Sequence, residues 1–235
     1  MTGSQAASWH GVMDLHEQVD FGWTIIGGQL VHLFAAERGQ VPQRPTSDVD
    51  TVIDVRADPK MLQRVTEALR AIEFEPNEPT GDGLQYRWVR GDAQIDILLP
   101  DGVGERTRKR TGVTGSPTLE TPGGTQALLR SETVAVTLGD RDGFVRRPNL
   151  IGALIVKAAA HTAVGDPAKG RHRSDFLALA GMVAARDFAE QELTSKDKRR
   201  LISMIAAVRS DGRAMSEVSG AEALLDRLVK AAGLA

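Results

Sequence analysis

Apolar and polar positions follow two different rhythms along the chain, and the change falls near residue 148. Ser4–Val19 carries apolar residues at helical spacing, and Trp23–Ile26 is a short apolar run ending in Gly27-Gly28. Gln29–Arg38 restarts as a helix with Leu30, Leu33 and Phe34 on one face. Pro42 and Pro45 forbid its continuation and mark a loop. Val49–Val55 is rich in β-branched residues and reads as a strand. Asp58-Pro59, a capping carboxylate before a proline, reads as the start of a helix that runs to about Ile72. Leu84–Val89 and Gln94–Leu99 flank the turn residues Arg90-Gly91-Asp92-Ala93 and predict a hairpin. Pro100 to Leu128 reads as loop, and Thr133–Leu138 with Phe144–Arg147 as a second hairpin. Beyond Pro148 only helical periodicity remains, in Asn149–Thr162, Ser174–Ala185, Ser195–Arg209 and Ser216–Ala232. The pattern predicts an α+β fold. A mixed half, residues 1–147 with about five strands in one sheet, packs against a helical half, residues 148–235.

Composition narrows the chemistry. The 235 residues include no cysteine, which removes disulfide frameworks, thiolate zinc sites, iron–sulfur clusters and cysteine nucleophiles, and fits a reducing, cytoplasmic setting. Met1–Trp9 lacks a basic start followed by an apolar run, so no signal peptide is expected. The most apolar stretch, Leu150–Ala160, is interrupted by Lys157 and is too short to span a bilayer. With 29 basic and 31 acidic residues the formal charge is −2, which argues against a surface coated for bulk nucleic-acid binding and leaves a local basic groove open.

The chemistry concentrates in three places. Side chains alternate across a strand, so Asp48 and Asp50 point to one side, about 6–7 Å apart. Asp96, between Ile95 and Ile97, leaves the apolar face for the opposite one. If the two strands are neighbours, three carboxylates converge, and a divalent cation relieves their repulsion. An oxygen-only, histidine-poor set favours magnesium bound through carboxylates and substrate phosphates, with two ions expected. Gly27-Gly28, at a strand-to-helix turn, can offer backbone N–H groups to a phosphate. Lys157, inside an apolar helix, either snorkels to the surface or meets an anion. Asp175 can equally be a first-turn residue capped by Ser174. No P-loop, dinucleotide fingerprint, zincin motif or Gly-x-Ser-x-Gly elbow is present.

This order of motifs resembles the nucleotidyltransferase superfamily that includes DNA polymerase beta. More narrowly it looks like the AbiEii-type branch, many of whose members are toxins of toxin–antitoxin pairs. The residues that carry the resemblance are Gly27-Gly28-Gln29-Leu30-Val31, Arg44, Thr46-Ser47-Asp48-Val49-Asp50, Lys157-Ala158-Ala159-Ala160 and Arg171-His172-Arg173-Ser174-Asp175-Phe176-Leu177. The match runs from about Trp23 to Leu179, and it departs from the pattern at Ser174, where a basic residue is usual, and at Ala178, where a second acid is usual. The resemblance implies a nucleotidyltransferase-like mixed sheet with flanking helices, completed by a helical carboxy-terminal half. It implies a magnesium-dependent enzyme that moves a nucleoside monophosphate from an NTP to an acceptor hydroxyl. Asp48 and Asp50 would bind the metals; Asp96 would bind one metal and assist deprotonation. Gly27, Gly28 and Lys157 would hold the triphosphate, and Asp175 would hold Lys157 or the nucleotide. RNA, tRNA above all, and a cognate antitoxin are the implied partners.

The rivals are a small-molecule, antibiotic-type nucleotidyltransferase and a catalytically decayed binding module of the same fold. Three basic runs bear on the choice. Arg106, Arg108, Lys109 and Arg110 form one, and Arg171 with Arg173 another; both are expected in loops beside the site, where an RNA acceptor would need them. Lys196–Arg200 reads as a solvated helix face.

Overall fold

A computed structural model describes residues 1–42, 44–162, 169–189 and 191–234. The chain opens with helix α1 (Gly3–Gln18), strand β1 (Trp23–Ile25), α2 (Gly27–Glu37), β2 (Val49–Ile53), α3 (Met61–Ala71), β3 (Glu75–Pro76), β4 (Arg87–Arg90) and β5 (Ala93–Pro100). It continues through α4 (Glu105–Arg108), β6 (Glu120–Thr121), α5 (Gly124–Leu129), β7 (Ser131–Leu138) and β8 (Arg141–Pro148). The helices α6 (Leu150–His161), α7 (Lys169–Gly181), α8 (Ser195–Arg209), α9 (Gly212–Glu217) and α10 (Ala221–Ala231) follow, with a 3-10 turn at Ala185–Phe188.

Alternation along β2 and β5 sorts the sheet's two faces. Val49, Ile53, Ile95, Ile97 and Leu99 turn into a core shared with Trp9, Val12 and Met13 of α1. On the opposite face Val52 and Leu98 pack against Ile26, Ala127 of α5 and Val156 of α6. Burying a side chain of this size contributes about 1.5–3 kcal/mol. These contacts lay α6 across the same sheet face on which Asp50 and Asp96 stand. The core runs without a break past residue 147, from Trp9 through Leu154, Phe176 and Leu228.

The principal sheet has the order β1-β2-β5-β4-β3, with β6 added alongside β5. β2 and β5 are parallel and the remaining pairs along that path antiparallel, so the sheet is mixed. β7 and β8 form a separate two-stranded sheet. The expectation of about five strands in one sheet is therefore corrected: the two-residue strands β3 and β6 lack any run long enough to show alternation, and the second hairpin stands apart. Further boundaries differ, among them the following. The Asp58 carboxylate accepts from the Lys60 amide (2.8 Å), closing a turn, and the helix starts only at Met61. The presumed loop after Pro100 holds α4, β6 and α5. α7 begins at Lys169, so Arg171 and Arg173 lie on a helix, and Asp175 lies within it rather than at its start. The last expected helix is two, α9 and α10, which meet around Val218–Gly220. No helix among the described residues is long and apolar enough to cross a membrane.

Candidate active site

The acidic residues meet because of strand register. Asp50 stands directly opposite Asp96 in the β2–β5 pairing, and Arg87 opposite Asp96 in the β4–β5 pairing. Neighbouring strands lie about 4.8 Å apart, so side chains paired this way on one face touch. Asp48, one residue ahead of β2, shares the side of Asp50. One carboxylate oxygen from each of Asp48, Asp50 and Asp96 lies within 4.8 Å of the others. Thr46 fixes one of them, its hydroxyl donating to Asp48 Oδ1 at 2.9 Å. Burial, then the charges of Asp48 and Asp96, push the Asp50 carboxyl up to about 7. Burial also raises Asp96, against the pull of Arg87. Arg87 grips Asp96 with two N–H groups, Nε to Oδ1 at 3.0 Å and Nη2 to Oδ2 at 2.9 Å, and its own pKa is raised by that contact. Two oxygens of Asp96 still have lone pairs beyond those bonds. The set is all-oxygen and over-charged by two once Arg87 is counted, which suits a hard divalent cation.

The Gly27-Gly28 turn closes over the acids. Gly27 sits at φ +71°, in the left-handed region, and a Cβ there would fall 1.9 Å from Asp50 Oδ2. A Cβ on Gly28 would meet Thr46 Oγ1 at 2.9 Å. No side chain caps the amino end of α2, so its first N–H groups face this corner uncapped. A buried polar chain steadies the loop ahead of Asp48. Trp9 Nε1 donates to Gln29 Oε1 (2.9 Å), and Gln29 Nε2 donates to the Thr46 carbonyl (2.8 Å). The His32 ring lies 2.6 Å from the Arg44 carbonyl through Nε2 and 2.7 Å from Gln5 Nε2 through Nδ1. Burial lowers the pKa of His32, while its bond to that carbonyl pulls the other way. In its neutral form Nε2 donates and Nδ1 accepts. His32 is a structural pin for the loop.

α6 brings a cation to the acids. Lys157 is buried and does not snorkel; its Nζ lies 2.7 Å from Asp175 Oδ2. Arg44 reaches the same carboxylate with Nε to Oδ1 at 3.1 Å and Nη2 to Oδ2 at 2.8 Å, across 131 residues of sequence. Burial pulls Asp175 upward, but Lys157 and Arg44 together outweigh it and hold the carboxyl below its ordinary value. Gly27, Asp50 and Lys157 line one cavity of about 220 Å³ together with Pro122, Val156 and Ala160.

The basic runs separate. Arg108 pairs with Glu120 (2.7 Å), Lys109 with Glu105 (2.7 Å), and Arg110 donates to the Val55 carbonyl (2.9 Å), while Arg106 is exposed. That run therefore lies past the carboxyl end of β2, away from Asp48 and Asp50, contrary to the expectation that it borders the acids. Arg171 and Arg173 do border the Lys157–Asp175 cluster, in a second cavity that also holds Arg44. Arg200 and Lys196 of the third run reach Asp101 at 2.9 and 3.7 Å. Arg87 escaped the sequence reading, yet its signal is there: Arg90 pairs with Ala93 across the turn, and three steps back along each strand Arg87 faces Asp96.

Comparison with solved structures places this architecture. The chain superposes on an antigenic nucleotidyltransferase-like protein from Paracoccidioides brasiliensis with a TM-score of 0.54 at 13% identity, over 92% of this chain and 94% of that one. It also aligns with the solution structure of the antibiotic-resistance factor ANT(2'')-Ia at a TM-score of 0.44 and 16% identity, over 92% and 97% of the two chains. No family model and no curated protein sequence matches it. The fold is thus nucleotidyltransferase-like.

Proposed function

We propose that the chain is a divalent-metal-dependent nucleotidyltransferase that moves a nucleoside monophosphate from an NTP to an acceptor hydroxyl. The observation that carries this reading is one cavity lined by Asp50 of the carboxylate cluster, Gly27 at the amino end of α2 and the buried Lys157. Asp48, Asp50 and Asp96 fit magnesium by donor chemistry, and magnesium bound there would neutralise charge on the triphosphate and on the departing pyrophosphate. The residues divide the remaining work. The uncapped N–H groups at Gly27-Gly28 receive a phosphate, and the missing Cβ of Gly27 lets the Asp50 carboxylate sit against the turn beside it. Lys157, held by Asp175, offers its charge to the triphosphate; Arg44 keeps Asp175 ionised when Lys157 turns toward substrate. Asp96, oriented by Arg87 and raised by burial, takes the proton of the acceptor hydroxyl. The acceptor oxygen bonds to the α-phosphorus as the bond from that phosphorus to the bridging oxygen breaks, and pyrophosphate leaves.

The helical half, residues 148–235, completes the nucleotide site through Lys157 and Asp175. RNA is the acceptor in this reading, tRNA in particular, and the motif order of the AbiEii-type branch supports a toxin role with a cognate antitoxin. Incubation with each α-labelled NTP, magnesium and total RNA tests it beside an Asp50→Ala control. Label in RNA that disappears in the control is expected. Absence of any magnesium-dependent transfer from a folded wild-type chain would contradict it.

A further inference from the structure

Behind the Lys157–Asp175 pair lies a cleft between α7 and α9, with a volume of about 740 Å³, into which Arg44, Arg171, Arg173 and Arg213 all face. That volume is in the range of sites for discrete ligands. Three carboxylates share its walls, but the fold has already engaged them. Asp175 holds Lys157 and Arg44. Asp211 takes Arg173 Nε at 2.5 Å and caps α9 by accepting from the amides of Arg213 and Ala214, both at 3.1 Å. Glu217 takes the Ser174 hydroxyl (2.8 Å) and Arg213 Nε (3.2 Å). The arginines keep donors in hand. Arg173 and Arg213 each spend only Nε on those bonds, and Arg171 has no carboxylate partner among the described residues. The cleft therefore presents N–H donors and occupied acceptors.

We infer that this cleft receives the 3′-terminal phosphodiester segment of a nucleic-acid acceptor, a reading that rests on the nucleotidyl-transfer proposal. Phosphodiester oxygens only accept hydrogen bonds and carry charge opposite to the arginines, as this wall requires. A polycationic small acceptor would meet like charge and carboxylates already engaged. Arg44 sets the direction. It lines the cleft, shares the Asp175 carboxylate with Lys157, which lines the Asp50 cavity, and stands two residues before Thr46, whose hydroxyl donates to Asp48, so the inner wall of the cleft adjoins the carboxylate site. A strand with its phosphates on Arg171, Arg173 and Arg213 brings its terminal hydroxyl to those acids.

Fluorescence anisotropy of a 5′-fluorescein RNA hairpin with a single-stranded 3′ end tests this with the whole chain, without NTP. Arg171→Gln/Arg213→Gln changes two side chains that are not part of the core. It is expected to weaken binding about tenfold or more, and to flatten the slope of log K against log salt by about 1.4, or 0.7 for each single-strand phosphate contact. Arg108→Gln/Lys109→Gln is expected to stay within about twofold of wild type. Unchanged affinity and slope in the first variant would overturn the assignment, as would loss only in the second. Transfer assays separate the two proposals. Cleft-dependent RNA binding without any nucleotide transfer would sink the transfer reading alone. Transfer to RNA with an unaltered KM for RNA in the cleft variant would sink the cleft alone.

Discussion

Neutralising Asp50 should stabilise the metal-free protein while abolishing its activity. Asp48 and Asp96 each place an oxygen within 4.8 Å of Asp50. At an effective dielectric near 20, one such pair repels by about 3.5 kcal/mol. Lys157 and Arg87 return part of this. The outcome is an Asp50 pKa of about 7 against an ordinary 3.8. At 1.36 kcal/mol per unit, the charged form costs the folded state about 4 kcal/mol. The sign follows from proton counting. The folded chain binds more protons than the unfolded one between these two values, so stability is full below about 3.8 and falls as pH climbs to about 7. Asp50→Asn removes the titration. Urea denaturation in EDTA should find the variant about 4 kcal/mol more stable at pH 8, with the gain shrinking below pH 7 and vanishing near pH 4. Magnesium should raise the wild type, by about 2.7 kcal/mol at a hundred times its Kd, and leave the variant nearly unmoved. A folded variant that is no more stable than wild type at pH 8, or whose gain is the same at pH 4, would refute the reasoning.

Other substitutions probe the remaining parts. Gly27→Ala forces a methyl onto Asp50 Oδ2 at a positive φ, and should cost about 1–3 kcal/mol in thermal unfolding and at least about a hundredfold in kcat/KM for NTP. Arg87→Gln deprives Asp96 of its paired donors, so the acid limb of the pH profile of kcat/KM should move to higher pH. Asp175→Asn strands a buried lysine and should cost about 3–5 kcal/mol, whereas Lys157→Met leaves Asp175 with Arg44 and should cost less while lowering kcat more than it lowers stability. Equal destabilisation by the two in urea would contradict the shared-carboxylate geometry.

The carboxylates were legible in the sequence because strand alternation is a two-residue rule that needs only local context. Asp48, Asp50 and Asp96 follow from it once β2 and β5 are recognised, and their adjacency then needs one assumption, that the strands are neighbours. The helical carboxy-terminal half was legible for a related reason: helical and strand periods differ enough to show that only helices follow Pro148 among the described residues. What escaped was set by long-range packing. The Arg44–Asp175 contact joins residues 131 apart, and no local pattern announces it. The start of α7 was hidden by Gly170 and a basic run, yet Phe176, Leu177 and Leu179 on its buried side hold it helical against that weak propensity. β3 and β6 exist because neighbours offer them an edge to pair with, which a two-residue stretch cannot reveal.

The central claim is that the carboxylate cluster and the Lys157 cavity serve one transfer reaction, and the position of a radiolabel tests it directly. Wild-type protein with magnesium and total RNA is supplied with each NTP labelled either on the α- or on the γ-phosphate. Label from the α-position should enter the acceptor, and label from the γ-position should leave as pyrophosphate, with both signals lost in Asp50→Ala. Retention of the γ-label on the acceptor, or release of label without transfer to any acceptor, would contradict it.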